Sequence, residues 1–111
     1  MADVSVQIID NSDLIEQATN EAIVKALEAM GLQAEGYAKM KCPVDTGNLR
    51  NSITHETDDN EMVERIGTNV EYAPYVEYGT QKTIAQPFLE PAIMNHVDEY
   101  RAIVENFLKN G

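Results

Sequence analysis

The sequence predicts an α+β fold in which a long N-terminal helix and a C-terminal helix pack on a small antiparallel β-sheet. Two apolar stripes, and the alternation between them, carry that reading. Ile23, Leu27, Met30, Ala34 and Tyr37 recur at steps of four and three, so they share one face of a helix. Ile93, Val97, Tyr100, Val104 and Phe107 form a second stripe of the same kind. Between them, residues 48–68 alternate around the polar turn TDDNE, which is the pattern of a β-hairpin.

Taken in order, the chain reads as a single domain of 111 residues, a length well able to hold one core. Residues 1–10 contain VSVQII, where Val4, Val6 and Ile8 alternate with Ser5 and Gln7, and are read as a first strand or a flexible arm. A helix is expected over 12–41. Ser12 or Asp13 supplies its N-cap, and Glu16 stands three residues after Asp13 as in a capping box. Its stop comes from Pro43, which disfavours the helical conformation at Cys42 and has no N–H to donate. Gly31 and Gly36 each cost about 1 kcal/mol relative to Ala inside a helix, so a bend or a closely packed neighbour is expected near them.

In the hairpin, Leu49, Asn51, Ile53 and His55 alternate with Arg50, Ser52, Thr54 and Glu56. The partner strand MVERIGT sets Val63 and Arg65 against Met62, Glu64 and Ile66. Residues 71–79 read as a Tyr-rich short helix or turn, 80–87 as a loop, and 91–108 as the final helix. Pro91 suits its first turn, where a missing N–H costs nothing.

Composition narrows the function. Hydrophobic residues make up 43% of the chain, but there is no Trp and only two Phe, so the core is built from Ile, Val, Leu, Met and Ala. A core of that kind is modest, and part of the apolar surface is expected to be buried only on assembly. Nineteen acidic and eight basic residues give a net charge of -11, which repels nucleic acid and anionic membranes over roughly 8–10 Å at ordinary salt. The single Cys42 forms no internal disulfide and is expected to be a small buried residue rather than a nucleophile. No apolar run approaches the roughly 20 residues of a membrane span, and MADVSVQIID lacks the features of a secretory signal. The expectation is a soluble protein kept in a reducing compartment. His55 and His96 stand far apart, with no Cys or carboxylate at metal-ligand spacing, and no Ser-His-Asp set or phosphate loop is present. No catalytic, cofactor or metal site is expected.

One stretch, KCPVDTGNLRNSI, raises a catalytic alternative, because Asp-Thr-Gly also marks dimeric aspartic proteases, where two carboxylates share a proton. That chemistry needs the Asp to leave a buried apolar strand inside a nearly all-β body. Here Asp45 follows Lys41, Cys42 and Pro43 at the end of a helix. A turn explains every residue: Pro43 ends the helix, Asp45 accepts hydrogen bonds from nearby N–H groups, Thr46 follows, and Gly47 is free to take positive φ.

Three blocks in order, PVDTGNLRNSI, IGTNVEYAPYVEYGT and QPFLEPA, resemble the head–tail joining proteins of long-tailed bacteriophages, a family also described as tail components, neck or tail-completion proteins. The resemblance spans roughly residues 38–92. Matching positions are Pro43, Asp45, Thr46, Gly47, Leu49, Arg50, Ser52 and Ile53, then Gly67, Tyr72, Ala73, Val76, Glu77, Gly79 and Thr80, then Pro87, Phe88, Pro91 and Ala92. Glu90 departs from the pattern, standing where a basic residue is expected. The resemblance implies a small, non-enzymatic subunit that forms a homo-oligomeric ring in the virion. It would dock on other neck, connector or tail proteins at the head–tail joint, while DNA passes through without specific binding and no membrane is involved. It would reside in the host cytoplasm during assembly.

Within the matched blocks, Glu77 lies among apolar neighbours, and Arg50 is the candidate cation to pair with it; two solvated surface charges are the alternative. Tyr72, Tyr75 and Tyr78 recur every three residues and read as core or rim packing or as an inter-subunit surface. With Lys82 and Ile84 in the following loop they form the candidate interface, the alternative for that loop being an ordinary flexible one. An acidic regulatory binder that mimics DNA is the rival function, since it would share the size and the charge.

Overall fold

The computed structural model describes residues 4–8, 19–43 and 47–110, with backbone alone at 4–8, 109 and 110. A long helix, α1 (Asn20–Lys41), packs on a sheet of β1 (Val4–Ile8), β2 (Thr54–Asp58) and β3 (Val63–Thr68). All pairings are antiparallel in the order β1-β3-β2, so β3 is central, with Ile66 opposite Val6 on one side and His55 on the other. Three short helices follow the chain around this unit: α2 (Gly47–Ser52), α3 (Ala73–Tyr78) and α4 (Glu90–Met94). The C-terminal helix α5 (Val97–Asn110) packs against α1. The architecture is α+β, a long N-terminal and a C-terminal helix with a small antiparallel sheet.

α1 begins later than the sequence suggests. Thr19 is extended (φ -74°, ψ 153°), and its hydroxyl accepts from Ala22 N–H at 3.2 Å, a side-chain N-cap. A helix cannot run through that residue, so the expected span 12–41 becomes 20–41, about 33 Å at 1.5 Å per residue. The proposed caps Ser12 and Asp13, and Glu16, lie outside the described residues. Ile23, Ala26, Leu27, Met30, Ala34 and Ala38 form the buried face, with Tyr37 half-buried at its edge. Cys42 ends the helix in an extended conformation ahead of Pro43, its N–H still donating to Ala38 O at 2.9 Å.

Residues 48–52, expected as strand, are instead helical, and Ile53 follows directly. Leu49 and Ile53 explain the difference: a spacing of four puts two residues on one face in either a strand or a helix. Both are buried here, and the helix α2 brings them to the core while Arg50 points to solvent. The Ser52 hydroxyl donates to Leu49 O at 2.6 Å and also bonds the Thr68 hydroxyl, which ties the end of α2 to the end of β3. The hairpin proper occupies 54–68, and Asp58 closes its turn by accepting from Asn60 and Glu61 N–H at 3.0 and 3.1 Å. These bonds from the turn, with Arg65 nearby, hold the Asp58 carboxyl below its ordinary value.

The C-terminal helix, expected as one piece over 91–108, is two. At the junction His96 N–H bonds Ile93 O, a tight i→i−3 contact. His96 then stacks flat on Tyr37, with ring centroids 3.6 Å apart and planes within 3°, and its Nδ1 lies 2.8 Å from Glu99 Oε2. The break turns Val97 out of the stripe to 42% exposure, whereas Tyr100 and Val104 stay buried against α1. Tyr100 donates its hydroxyl proton to Ala92 O, and burial pushes its ionisation up.

Candidate docking site

Residues 70–90 fold back on themselves. Tyr72 precedes α3, and Pro74 occupies the first turn, where its missing N–H is harmless. Gly79 ends α3 at φ 78°, its N–H donating to Tyr75 O at 2.9 Å. This left-handed position belongs to Gly79 rather than to Gly47, which opens α2 without positive φ. The loop after Gly79 is held at each step. Thr80 N–H donates to Thr83 O at 2.9 Å, and its hydroxyl accepts from Lys82 and Thr83 N–H at 3.2 and 3.0 Å. Gln86 N–H then returns to Val76 O at 2.8 Å.

Glu77 anchors the far end. Its Oε1 accepts from Phe88 and Leu89 N–H at 3.0 and 2.9 Å, and Oε2 from Glu90 N–H at 3.1 Å. A buried carboxylate bonded to backbone N–H groups is satisfied without a cation, since such charge-assisted bonds are about twice as strong as neutral ones. The proposed Arg50–Glu77 pair is therefore absent: Glu77 is buried, and Arg50 is exposed on α2 with no described carboxylate partner. The three bonds carry Phe88 and Leu89 into the core, where both are fully buried, while Pro87 stays exposed.

This framework displays an apolar groove of about 270 Å³ lined by Pro43, Tyr72, Tyr75, Val76, Thr80, Thr83, Ile84 and Gln86. Of the candidate interface residues, Tyr72, Tyr75 and Ile84 meet there; Tyr78 and Lys82 are exposed nearby in sequence but do not line it. Tyr75 is 61% and Ile84 87% exposed, a large apolar area to leave in water. Asp45 and Thr46 lie outside the described residues, between the end of α1 and the start of α2. The groove residues that sequence reasoning missed, Thr83 and Gln86 among them, are polar loop residues that only the backbone fold-back brings to Tyr75.

A second cleft, also unseen in the sequence, opens between α1, β2 and α5 and is lined by Lys25, Glu28, Ala29, Leu32, His55, Thr57 and Phe107. Beneath it Glu64 is fully buried, with His55 Nδ1 2.9 Å from Oε2 and the Thr57 hydroxyl donating to Oε1. Burial raises the Glu64 carboxyl above its ordinary value; the Thr57 and His55 bonds oppose the shift, and the Glu28 charge adds to it. Among the described residues, no group of three or more His, Cys, Asp or Glu is placed to hold a metal ion. No described helix is long and apolar enough to cross a membrane.

Comparison with known proteins gives no significant match among curated proteins or among solved structures. A protein-family model does match, over residues 7–79, about two thirds of the chain. That stretch runs from the first strand through the hairpin to the glycine that ends α3. On this match the chain belongs to the HK97-gp10-like family, described as "Bacteriophage HK97-gp10, putative tail-component".

Proposed function

We propose that this chain is a non-enzymatic subunit of the joint between the filled capsid and the tail of a long-tailed phage. Copies close into a ring there and dock on neighbouring head or tail proteins. Family membership supports a structural role in the phage particle. The observation that carries the finer reading is the groove of Tyr72, Tyr75 and Ile84, an exposed apolar surface on a tightly bonded frame, as an assembly contact requires. The net charge of -11 suits a conduit, because acidic side chains around a lumen repel passing DNA rather than retain it.

The test is genetic. A phage unable to make this chain is expected to accumulate DNA-filled heads and separate tails, and supplying the chain in trans restores joined particles. Normal joined particles without the chain would end this reading, and recovery of the chain on a basic host protein instead would favour the DNA-mimic alternative.

A further inference from the structure

The charges of the chain are unevenly placed. Lys25, Lys39 and Arg65 are each paired with carboxylates on neighbouring turns or strands. Lys41, Arg50, Lys82 and Arg101 have no described carboxylate partner. Three of these four belong to the segments that build the groove or adjoin it. Lys41 lies two residues before Pro43, Lys82 lies between groove residues Thr80 and Thr83, and Arg50 is close enough to Cys42 to lower its thiol pKa against the larger effect of burial. Residues 37–53 and 69–86 together hold four cations against three carboxylates, Asp45, Glu71 and the buried Glu77, in a chain of net charge -11.

The α4–α5 elbow has the opposite character. Met94, the last residue of α4, is 63% exposed, and Val97, the first of α5, is 42% exposed. Around them residues 90–105 carry Glu90, Asp98, Glu99 and Glu105 against the single cation Arg101. The molecule thus displays an apolar groove beside cations with no partner among the described carboxylates and, elsewhere, an exposed apolar pair set among acids. Complementary but different patches on one chain make a head-to-tail contact, which repeats from copy to copy and closes a ring when its rotation allows.

We infer that the groove of one copy receives the Met94–Val97 elbow of a second copy, with Lys82 meeting Asp98 at the rim. The inference rests on the proposed ring but concerns only its subunit contact. Opposite charges at the rim speed and register the encounter, and the apolar pair supplies the burial. Nucleic acid is disfavoured as occupant by the overall charge, and a basic partner by the cations beside the groove.

The test uses directed cross-linking in the full chain, with Cys42→Ser to remove the native thiol. Chains carrying Ile84→Cys are mixed with an equal amount of chains carrying Met94→Cys under mild oxidation. Seating of one on the other is expected to give mixed disulfide dimers in roughly tenfold excess over either homodimer, through raised effective concentration at the contact. The excess should shrink when Lys82→Glu is added to the Ile84→Cys chain, and return when Asp98→Lys is added to its partner. A statistical mixture of dimers, or an excess indifferent to both charge reversals, overturns the proposal. Each variant is checked for an unchanged melting curve, and Gly36→Cys, a site in open space on α1, sets the background. Failure here with separate heads and tails in the phage lacking the chain would leave the joint role standing and remove only this contact; the opposite pair of results would do the reverse.

Discussion

A methyl group built on Gly31 would stand 1.7 Å from Glu64 Oε2 and 2.8 Å from His55 Nδ1. The Glu64 carboxylate therefore occupies the place where any other residue of α1 would carry its side chain. Helix and central strand meet backbone against carboxylate, and the helix accepts a glycine in its interior to allow it.

Gly31→Ala is accordingly expected to destabilise the fold by roughly 1–3 kcal/mol, although alanine is the better helix former by about 1 kcal/mol. Urea melts check the loss. In a Glu64→Ala background the same change should be neutral or favourable, because the obstructing carboxylate is gone; equal losses in both backgrounds would contradict the packing described.

Glu64 also sets a pH dependence. Its folded carboxyl titrates above the unfolded one, which lies near 4.3, so folding takes up a proton in the interval between them. Below that interval Glu64 is neutral in both states and carries no penalty; as pH rises through it the burial of charge is charged against the fold. Wild type compared with Glu64→Gln, melted in steps between pH 4 and pH 8, should lose relative stability as pH rises and then level off. A difference of constant size across that range would show the carboxyl to be unperturbed.

Removing the Glu77 anchor should cost more than removing its once-expected partner. Glu77→Ala leaves the Phe88, Leu89 and Glu90 N–H groups without their acceptor, a loss of roughly 2–4 kcal/mol. Glu77→Gln keeps one amide oxygen and should fall between. Arg50→Ala is expected within about 0.5 kcal/mol of wild type, as for other exposed positions. Equilibrium unfolding of the three variants decides the ranking.

Gly79→Ala meets two obstacles at once. The residue sits at φ 78°, and a Cβ there would approach Ala85 N to 2.8 Å and Thr83 O to 3.0 Å. A loss of about 1–3 kcal/mol is expected, concentrated in the loop. Limited proteolysis should show faster cutting at Lys82 while the rest of the chain resists as before.

The larger elements could be read in the sequence because burial leaves a period. The stripe from Ile23 to Ala34 names the buried face of α1, and the Gly67, Tyr72 and Gly79 region of the second block lies inside the family match, while QPFLEPA lies beyond it. Where the period is ambiguous, reading fails: Leu49 and Ile53 fit a strand and a helix equally, and tertiary burial chose the helix. The elbow at Asn95–His96 was hidden because the contact made there, His96 stacked on Tyr37, joins residues far apart along the chain. Glu77 showed the same blindness in the site. Its burial was legible from its apolar neighbours, but its partners are backbone N–H groups, which every residue but proline carries and no pattern marks.

Val76 holding Gln86, Glu77 holding the N–H groups of residues 88–90, and Thr80 closing on Thr83 bind the Tyr72–Glu90 stretch onto itself before anything touches it. A surface so held gives up little freedom when it is covered, so an arriving protein meets a mould already set rather than a chain that must first be shaped. Calorimetry of such an encounter should show the heat-capacity change of the apolar area covered and no added signature of coupled folding.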